Sequence, residues 1–241
     1  MKPVCLLVPG MLNDDRVWAE IAAGLKTSSQ VRIAQVQTQN SIMVMARDAW
    51  SLLADVDADV PVYVVGFSMG GYVAMEMLAH PQREIKGLAL LDTSALVETA
   101  ESRLMREKTL HALENDFPKT VENLVKWNTH AANPELMDRI RNMMLHVGAQ
   151  TAIQQTKAIR DRSDHQETLQ QLNIPVVVLC GEHDRVTPLI RSQELANLIP
   201  DAQLQIIPNA GHMLPMEQPH AVIHALQGLM KIENLEKGDP K

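Results

Sequence analysis

Six short apolar runs, separated by stretches of helical periodicity, set the pattern of the chain. Val4–Val8, Val31–Val36, Pro61–Phe67, Ile85–Leu91, Ile174–Cys180 and Leu204–Ile207 are the predicted strands. Several are apolar throughout, as parallel strands covered on both faces are. Helical patterns occupy Asp15–Leu25, Ser41–Leu53, Met69–Ala79, Leu189–Leu198 and roughly Pro215–Leu229. Such alternation predicts an α/β fold, with a mostly parallel central sheet of about six strands and helices on both faces. Residues 94–168 break the rhythm, because they carry amphipathic helices and almost no strand signal. There Asn133-Pro134 reads as a cap followed by proline at the first helical position. Leu136, Ile140, Met143, Met144 and Val147 share one face at helical spacing, and Val121, Leu124 and Val125 share another. An insertion of this kind is expected to fold over the strand ends, where open sheets bind ligands. The division expected is a core of 1–93 and 169–232, a helical cap of 94–168, and a polar tail of 233–241 that frays.

Composition narrows the class. The chain has 241 residues, 46% of them hydrophobic and 21% charged, which suits one globular domain. A formal net charge of −7 argues against nucleic acid as a partner. The run Val4–Val8 is too short for a secretory core or a membrane span. Cys5 and Cys180 fall in strand-like runs, where they read as small buried hydrophobes rather than a disulfide framework. A cytoplasmic location without membrane attachment fits best. The pattern leaves monomer and homodimer both open.

The chemistry concentrates in four segments. Val64-Val65-Gly66-Phe67-Ser68-Met69-Gly70-Gly71 joins an apolar run to a helical pattern through a serine with glycine two residues to either side. A sharp strand-to-helix turn presents a serine hydroxyl at its tip, and side chains at Gly66 and Gly70 would clash across it. Gly71 would likewise let the helix lie close to the sheet. The bland alternative, a glycine-rich turn with a solvated serine, leaves the other segments without a purpose. Those are Cys180-Gly181-Glu182-His183-Asp184-Arg185-Val186-Thr187-Pro188 after one strand, Pro208-Asn209-Ala210-Gly211-His212-Met213 after the last, and Leu7-Val8-Pro9-Gly10-Met11-Leu12 after the first. Ser68, Asp184 and His212 stand in the chain order serine, acid, histidine.

These motifs make the sequence similar to the α/β-hydrolase superfamily over essentially its whole length. The resemblance implies a nucleophile elbow at Gly66–Gly71, with Ser68 as nucleophile, Asp184 as acid and His212 as base. It implies an oxyanion hole from the backbone N–H groups of Met69 and of Met11 or Leu12. It implies a hydrolase of small or medium carboxylic esters or thioesters, working through an acyl-serine without metal or cofactor. Two departures stand at the front, where Pro9-Gly10 replaces the common His-Gly and the usual amino-terminal hairpin is expected to be lacking. The same triad serves relatives that hydrolyse carbon–carbon bonds of dienoic keto acids or act as lyases. A binding protein that keeps the fold without catalysis is a third reading.

Other residues carry rival readings. Asp92, ending a strand, competes with Asp184 as the acid, against a default role of bonding nearby backbone. His183, beside Asp184, reads as a surface residue of a turn. His220 and His224 have metal-ligand spacing on the last helix, but no acid or thiol accompanies them. His111, His130, His146 and His165 are expected to face solvent. Fourteen methionines against 3% aromatic residues suggest gap-filling, with Met143, Met144 and Met213 as candidates to line an adaptable apolar substrate pocket. A carboxylate-bearing substrate would need cations, for which Arg103, Arg106, Lys126, Arg139, Arg141, Arg160 and Arg162 are the candidates near the insertion. Arg162 and Asp164 are expected to pair at the junction of insertion and core.

Overall fold

A computed structural model describes residues 2–130 and 133–236, with 232–236 given by backbone alone. Its single sheet contains β1 (Val4–Val8), β2 (Gln30–Ile33), β3 (Val62–Phe67), β4 (Gly87–Leu91), β5 (Val176–Gly181) and β6 (Gln203–Ile207). The strand order is β2-β1-β3-β4-β5-β6, and all five pairings are parallel. Alternation along each strand divides the core. Leu7, Val65, Phe67, Ala89, Leu91 and Leu179 point into one apolar cluster, while Leu6, Val8, Val64, Leu90 and Val178 point into the other. The apolar runs of the sequence are therefore strands buried on both sides.

Helices α1 (Ala19–Leu25), α2 (Ile42–Ser51) and α3 (Met69–Ala79) precede β4. Between β4 and β5 lie α4 (Ala100–Asn115), α5 (Phe117–Asn128), α6 (Pro134–Val147), α7 (Ala149–Arg160) and the short α8 (Gln166–Gln170). Local chemistry starts several of them. The Ser41 hydroxyl accepts from Val44 N–H, Thr99 and Ser102 form a reciprocal capping box, and Asn133 accepts from Leu136 N–H ahead of Pro134. The inserted helices share the core cluster through Leu113, Val121, Val125, Ile140, Met143 and Met144, so they are packed onto the sheet domain. After β5 come α9 (Leu189–Leu198), α10 (Leu214–Glu217) and α11 (Pro219–Glu236).

The structure trims several expected elements. The run Val31–Val36 pairs only as Gln30–Ile33, with Ala34 N–H still donating to Leu7 C=O at 2.9 Å and the Val36 carbonyl taken by a side chain of α7. Asp15–Leu25 begins as a 3-10 turn, Asp15–Trp18, capped by Asp14, before α1 starts. The last predicted helix is two helices that meet at Gln218 ahead of Pro219. Helix α11 runs to Glu236, into the stretch expected to fray, and 237–241 lie outside the described residues. Arg162 does not pair with Asp164. It pairs with Glu98 at 3.2 Å and donates to the Leu96 carbonyl, tying the outgoing and returning strands of the insertion together, while Asp164 caps Gln166 N–H.

Candidate active site

Ser68 sits between the end of β3 and the first residue of α3 with φ 52° and ψ −115°, a region that side-chain-bearing residues seldom enter. Backbone contacts hold it there, with Ser68 N–H donating to Leu91 C=O at 2.9 Å and the Thr93 hydroxyl donating to Ser68 C=O at 2.9 Å. The turn is as tight as the glycine spacing predicts. A Cβ on Gly66 would lie 2.7 Å from Gly71 Cα, and one on Gly70 would lie 2.7 Å from the Val8 carbonyl carbon.

The serine, the histidine and one aspartate meet. Ser68 Oγ lies 2.9 Å from His212 Nε2, and His212 Nδ1 lies 2.9 Å from Asp184 Oδ2. His212 is 4% exposed and Asp184 6%. The Asp184 carboxylate also accepts from Val186 N–H at 2.7 Å, Thr187 N–H at 3.1 Å and the Thr187 hydroxyl at 2.6 Å. Burial opposes its ionisation, but the adjacent His212 and these donors hold its carboxyl below the usual range. Asp92 is not the aspartate facing the imidazole. It lies beneath the acid loop with one oxygen accepting from Gly181 N–H at 2.8 Å.

The turn after β1 adopts an unusual backbone, with Leu12 at φ 60°. Leu12 N–H donates to Gln155 Oε1 at 2.9 Å, and the Gln155 amide donates to Val36 C=O at 2.9 Å. Among the described residues, neither Met11 N–H nor Met69 N–H meets an acceptor. Sequence reasoning did not find Gln155, which is fully buried on α7 and has no local signal pointing across the molecule. It also missed Glu217, whose carboxylate accepts from Gly211 N–H at 3.0 Å and His130 N–H at 2.7 Å. Asn128 C=O accepts from His212 N–H at 2.8 Å and Met213 N–H at 3.1 Å, so the end of α5 grips the histidine loop.

The remaining candidates take quieter places. Met143, Met144 and Met213 are 0%, 1% and 1% exposed, packed into the cluster that joins insertion to sheet. His220, His224, His111 and His146 are exposed. His165 departs from expectation, being half-buried with its Nε2 2.7 Å from Glu76 Oε2. His130 stacks on His183 at 3.6 Å between ring centroids, beside a recess of about 650 Å3 that borders Asp184 and includes Lys126 and Arg185. Six of the seven candidate cations are engaged by acids of this chain. Arg103 pairs with Asp161, Arg106 and Arg162 with Glu98, Arg139 with Glu20, Arg141 with Glu122 and Asp138, and Arg160 with Glu107 and Asp161. Cys5 and Cys180 are buried free thiols, each pushed by burial up to about 12. Among the described residues, no helix is long and apolar enough to cross a membrane.

This parallel sheet, with a strained serine between its third strand and the following helix, defines a hydrolase of the α/β class. The chain belongs to the family described as serine aminopeptidase, S33, whose model matches residues 28–219. It is 24% identical over 221 residues to a pimeloyl-[acyl-carrier protein] methyl ester esterase of Chromobacterium violaceum, covering 87% of each chain. It is 29% identical over 178 residues to a 2-succinyl-6-hydroxy-2,4-cyclohexadiene-1-carboxylate synthase of Klebsiella pneumoniae, covering 70% of this chain and 68% of that one. Among solved structures, a thermophilic esterase from Thermogutta terrifontis superposes with a TM-score of 0.85 at 25% identity, over 96% of this chain and 90% of that one.

Proposed function

We propose that this protein hydrolyses small or medium carboxylic esters, thioesters included, through an acyl-serine formed on Ser68. The observation that carries the reading is the unbroken relay of two 2.9 Å contacts, Ser68 Oγ to His212 Nε2 and His212 Nδ1 to Asp184. His212 takes the hydroxyl proton as Ser68 attacks the ester carbonyl, then returns it to the departing alcohol. Asp184 accepts from Nδ1–H, which fixes the tautomer that leaves Nε2 free to act as base. Water, activated by the same imidazole, then attacks the acyl-serine and releases the acid. Atoms and charge balance with no group beyond these side chains and water.

The oxyanion is stabilised by Met69 N–H, at the amino terminus of α3, and by Met11 N–H. Leu12 N–H is the weaker candidate for the second donor because Gln155 already occupies it. Residues 94–168 act as the cap, with Met143, Met144 and Met213 backing the apolar wall beneath it. An ester of a small alcohol agrees with the methyl ester in the name of the Chromobacterium relative. Carbon–carbon hydrolysis or a lyase step on a carboxylate-bearing substrate is less well supported, since six of the seven candidate cations near the insertion are spent on internal ion pairs.

The test is a series of p-nitrophenyl esters from acetate to dodecanoate, with Ser68→Ala beside the native protein. Turnover is expected on the shorter chains, and Ser68→Ala loses on the order of 10⁴–10⁶-fold. Asp184→Asn loses on the order of 10⁴-fold while remaining folded. Native-like turnover by Ser68→Ala overturns the reading.

A further inference from the structure

Asp92 is entirely buried at the carboxyl end of β4, with φ 44°. Its backbone N–H donates to Leu179 C=O at 2.9 Å, and its Oδ1 accepts from Gly181 N–H at 2.8 Å. Both contacts pin it against β5, just before the loop that carries Asp184. Its Oδ2 is buried and has no donor. Asp92, Asp184 and Cys180 each bring one polar atom within 4.8 Å of the others.

We propose that Asp92 is a neutral carboxylic acid that donates its O–H to the Asp184 carboxylate, and so acts as a positioning residue for the acid of the relay. The proposal rests on the assignment of Asp184 as that acid. Two buried carboxylates this close do not both ionise. The proton belongs on the partner with fewer donors. Asp184 has three hydrogen-bond donors besides the imidazole, whereas Asp92 has one backbone N–H and a bare oxygen. An ionised Asp92 would strand anionic charge in a dry site, while a protonated one turns its bare oxygen into a donor. Burial, and next the charge of Asp184, push Asp92 well above the carboxylate range, with Glu217 acting in the same sense. The remaining neighbours add no cation against it, since the Cys180 thiol is held neutral and His212 lies on the other side of Asp184. The trio does not suit a metal ion, because a cation there would compete with His212 for the Asp184 carboxylate and Cys180 is a thiol held neutral.

The consequence is a damped charge on Asp184. A donor shared from Asp92 draws electron density from the carboxylate, and with the Thr187 hydroxyl it fixes the plane in which Nδ1–H is received. Two variants separate this from bare packing. Asp92→Asn keeps an acceptor for Gly181 N–H and an N–H donor for Asp184, but carries no proton to lose. It is expected to keep kcat/KM within about threefold of native, with the acid limb of the pH–rate profile unmoved. Asp92→Leu removes the donor, concentrating charge on Asp184 and strengthening its pairing with the imidazolium. Its acid limb moves to higher pH, and kcat falls on the order of tenfold at unchanged KM. Difference infrared spectroscopy of native protein against Asp92→Asn supplies a readout independent of turnover, namely loss of the carbonyl stretch of a protonated carboxyl at neutral pH. If that band is absent from the native protein, or if Asp92→Asn moves the acid limb to lower pH as removal of a negative charge would, the proposal falls. If Asp92→Leu does not fold, the asparagine and infrared arms decide. Should Ser68→Ala retain turnover while the band is lost in Asp92→Asn, the catalytic reading fails and the proton assignment stands.

Discussion

Replacing Gln155 with leucine isolates the link between the helical insertion and the proposed oxyanion turn. The side chain is fully buried and satisfies two backbone groups from distant parts of the sheet domain, Leu12 N–H and Val36 C=O, both at 2.9 Å. Leucine has similar bulk, so the principal loss is polar. Two buried groups left without partners cost about 1–3 kcal/mol each, or about 2–6 kcal/mol together. At this chain length each kcal/mol corresponds to about 2–4 °C, so Tm should fall by about 4–24 °C. The kinetic effect follows from Leu12, whose left-handed backbone costs about 1–2 kcal/mol and is held by this bond. Once released, the turn relaxes and Met11 N–H, the proposed second oxyanion donor, is displaced. Loss of one oxyanion donor lowers kcat by about 10²–10³-fold, which is the ceiling for Gln155→Leu, with KM little changed. The assays are thermal unfolding by circular dichroism and steady-state hydrolysis of p-nitrophenyl acetate below the new Tm. Gln154→Leu, one residue earlier on α7, is the control and should stay within about 0.5 kcal/mol of native. A Gln155→Leu protein that loses Tm but keeps native kcat would refute the kinetic link, and one that keeps both would refute the whole argument.

Two further outcomes follow from the geometry. Gly70→Ala drives a methyl group into the Val8–Pro9 backbone, which cannot yield as a flexible side chain would, so soluble protein of native Tm carrying this change would contradict the close approach of α3 to β1. The second concerns pH. Because the folded Asp92 carboxyl lies above its unfolded value, its stabilising contribution is complete below about pH 3.9 and is lost as pH rises toward the folded value. Relative to Asp92→Asn, native protein should therefore lose up to about 1.4 kcal/mol of unfolding free energy per pH unit in that window, and urea titrations showing the opposite slope would show that Asp92 folds as an anion.

Much of this candidate site was legible because its signals are local. The glycines around Ser68 report a backbone collision, and the apolar runs report strands buried on both faces. Asp184 is followed three residues on by Thr187, whose backbone and hydroxyl both bond it, which is short-range turn chemistry. What escaped depends on partners far apart in the chain. Gln155 is one of several glutamines on a helix with no marking of its own, and its acceptor Val36 was assigned to a strand that stops at Ile33. Arg162 was matched to the nearby Asp164, but Glu98 lies with it in a buried site where an unpaired charge would be costly. His165 was placed in solvent because a polar segment surrounds it, while its partner Glu76 is buried on α3. Periodicity reports which face is apolar, not which polar group has been drawn inside to meet another.

Those long-range contacts share a destination, and that changes what the inserted helices do. Gln155 of α7 holds the turn of Met11 and Leu12, and Asn128 at the end of α5 holds the backbone of His212. Arg185, next to the acid, donates to the carbonyls of Lys126 and Thr129, and His130 stacks on His183. Glu217 completes the set by bonding the histidine loop and His130 N–H with one carboxylate. Three loops bearing the proposed oxyanion donor, base and acid are thus each bonded to the insertion, while Ser68 is held by β4 and its own turn. Movement of α5 would disturb the base and acid loops together, and movement of α7 would disturb the oxyanion turn. An insertion anchored in this way does more than cover a finished site, because the geometry of the proposed base, acid and oxyanion loops depends on the insertion being seated.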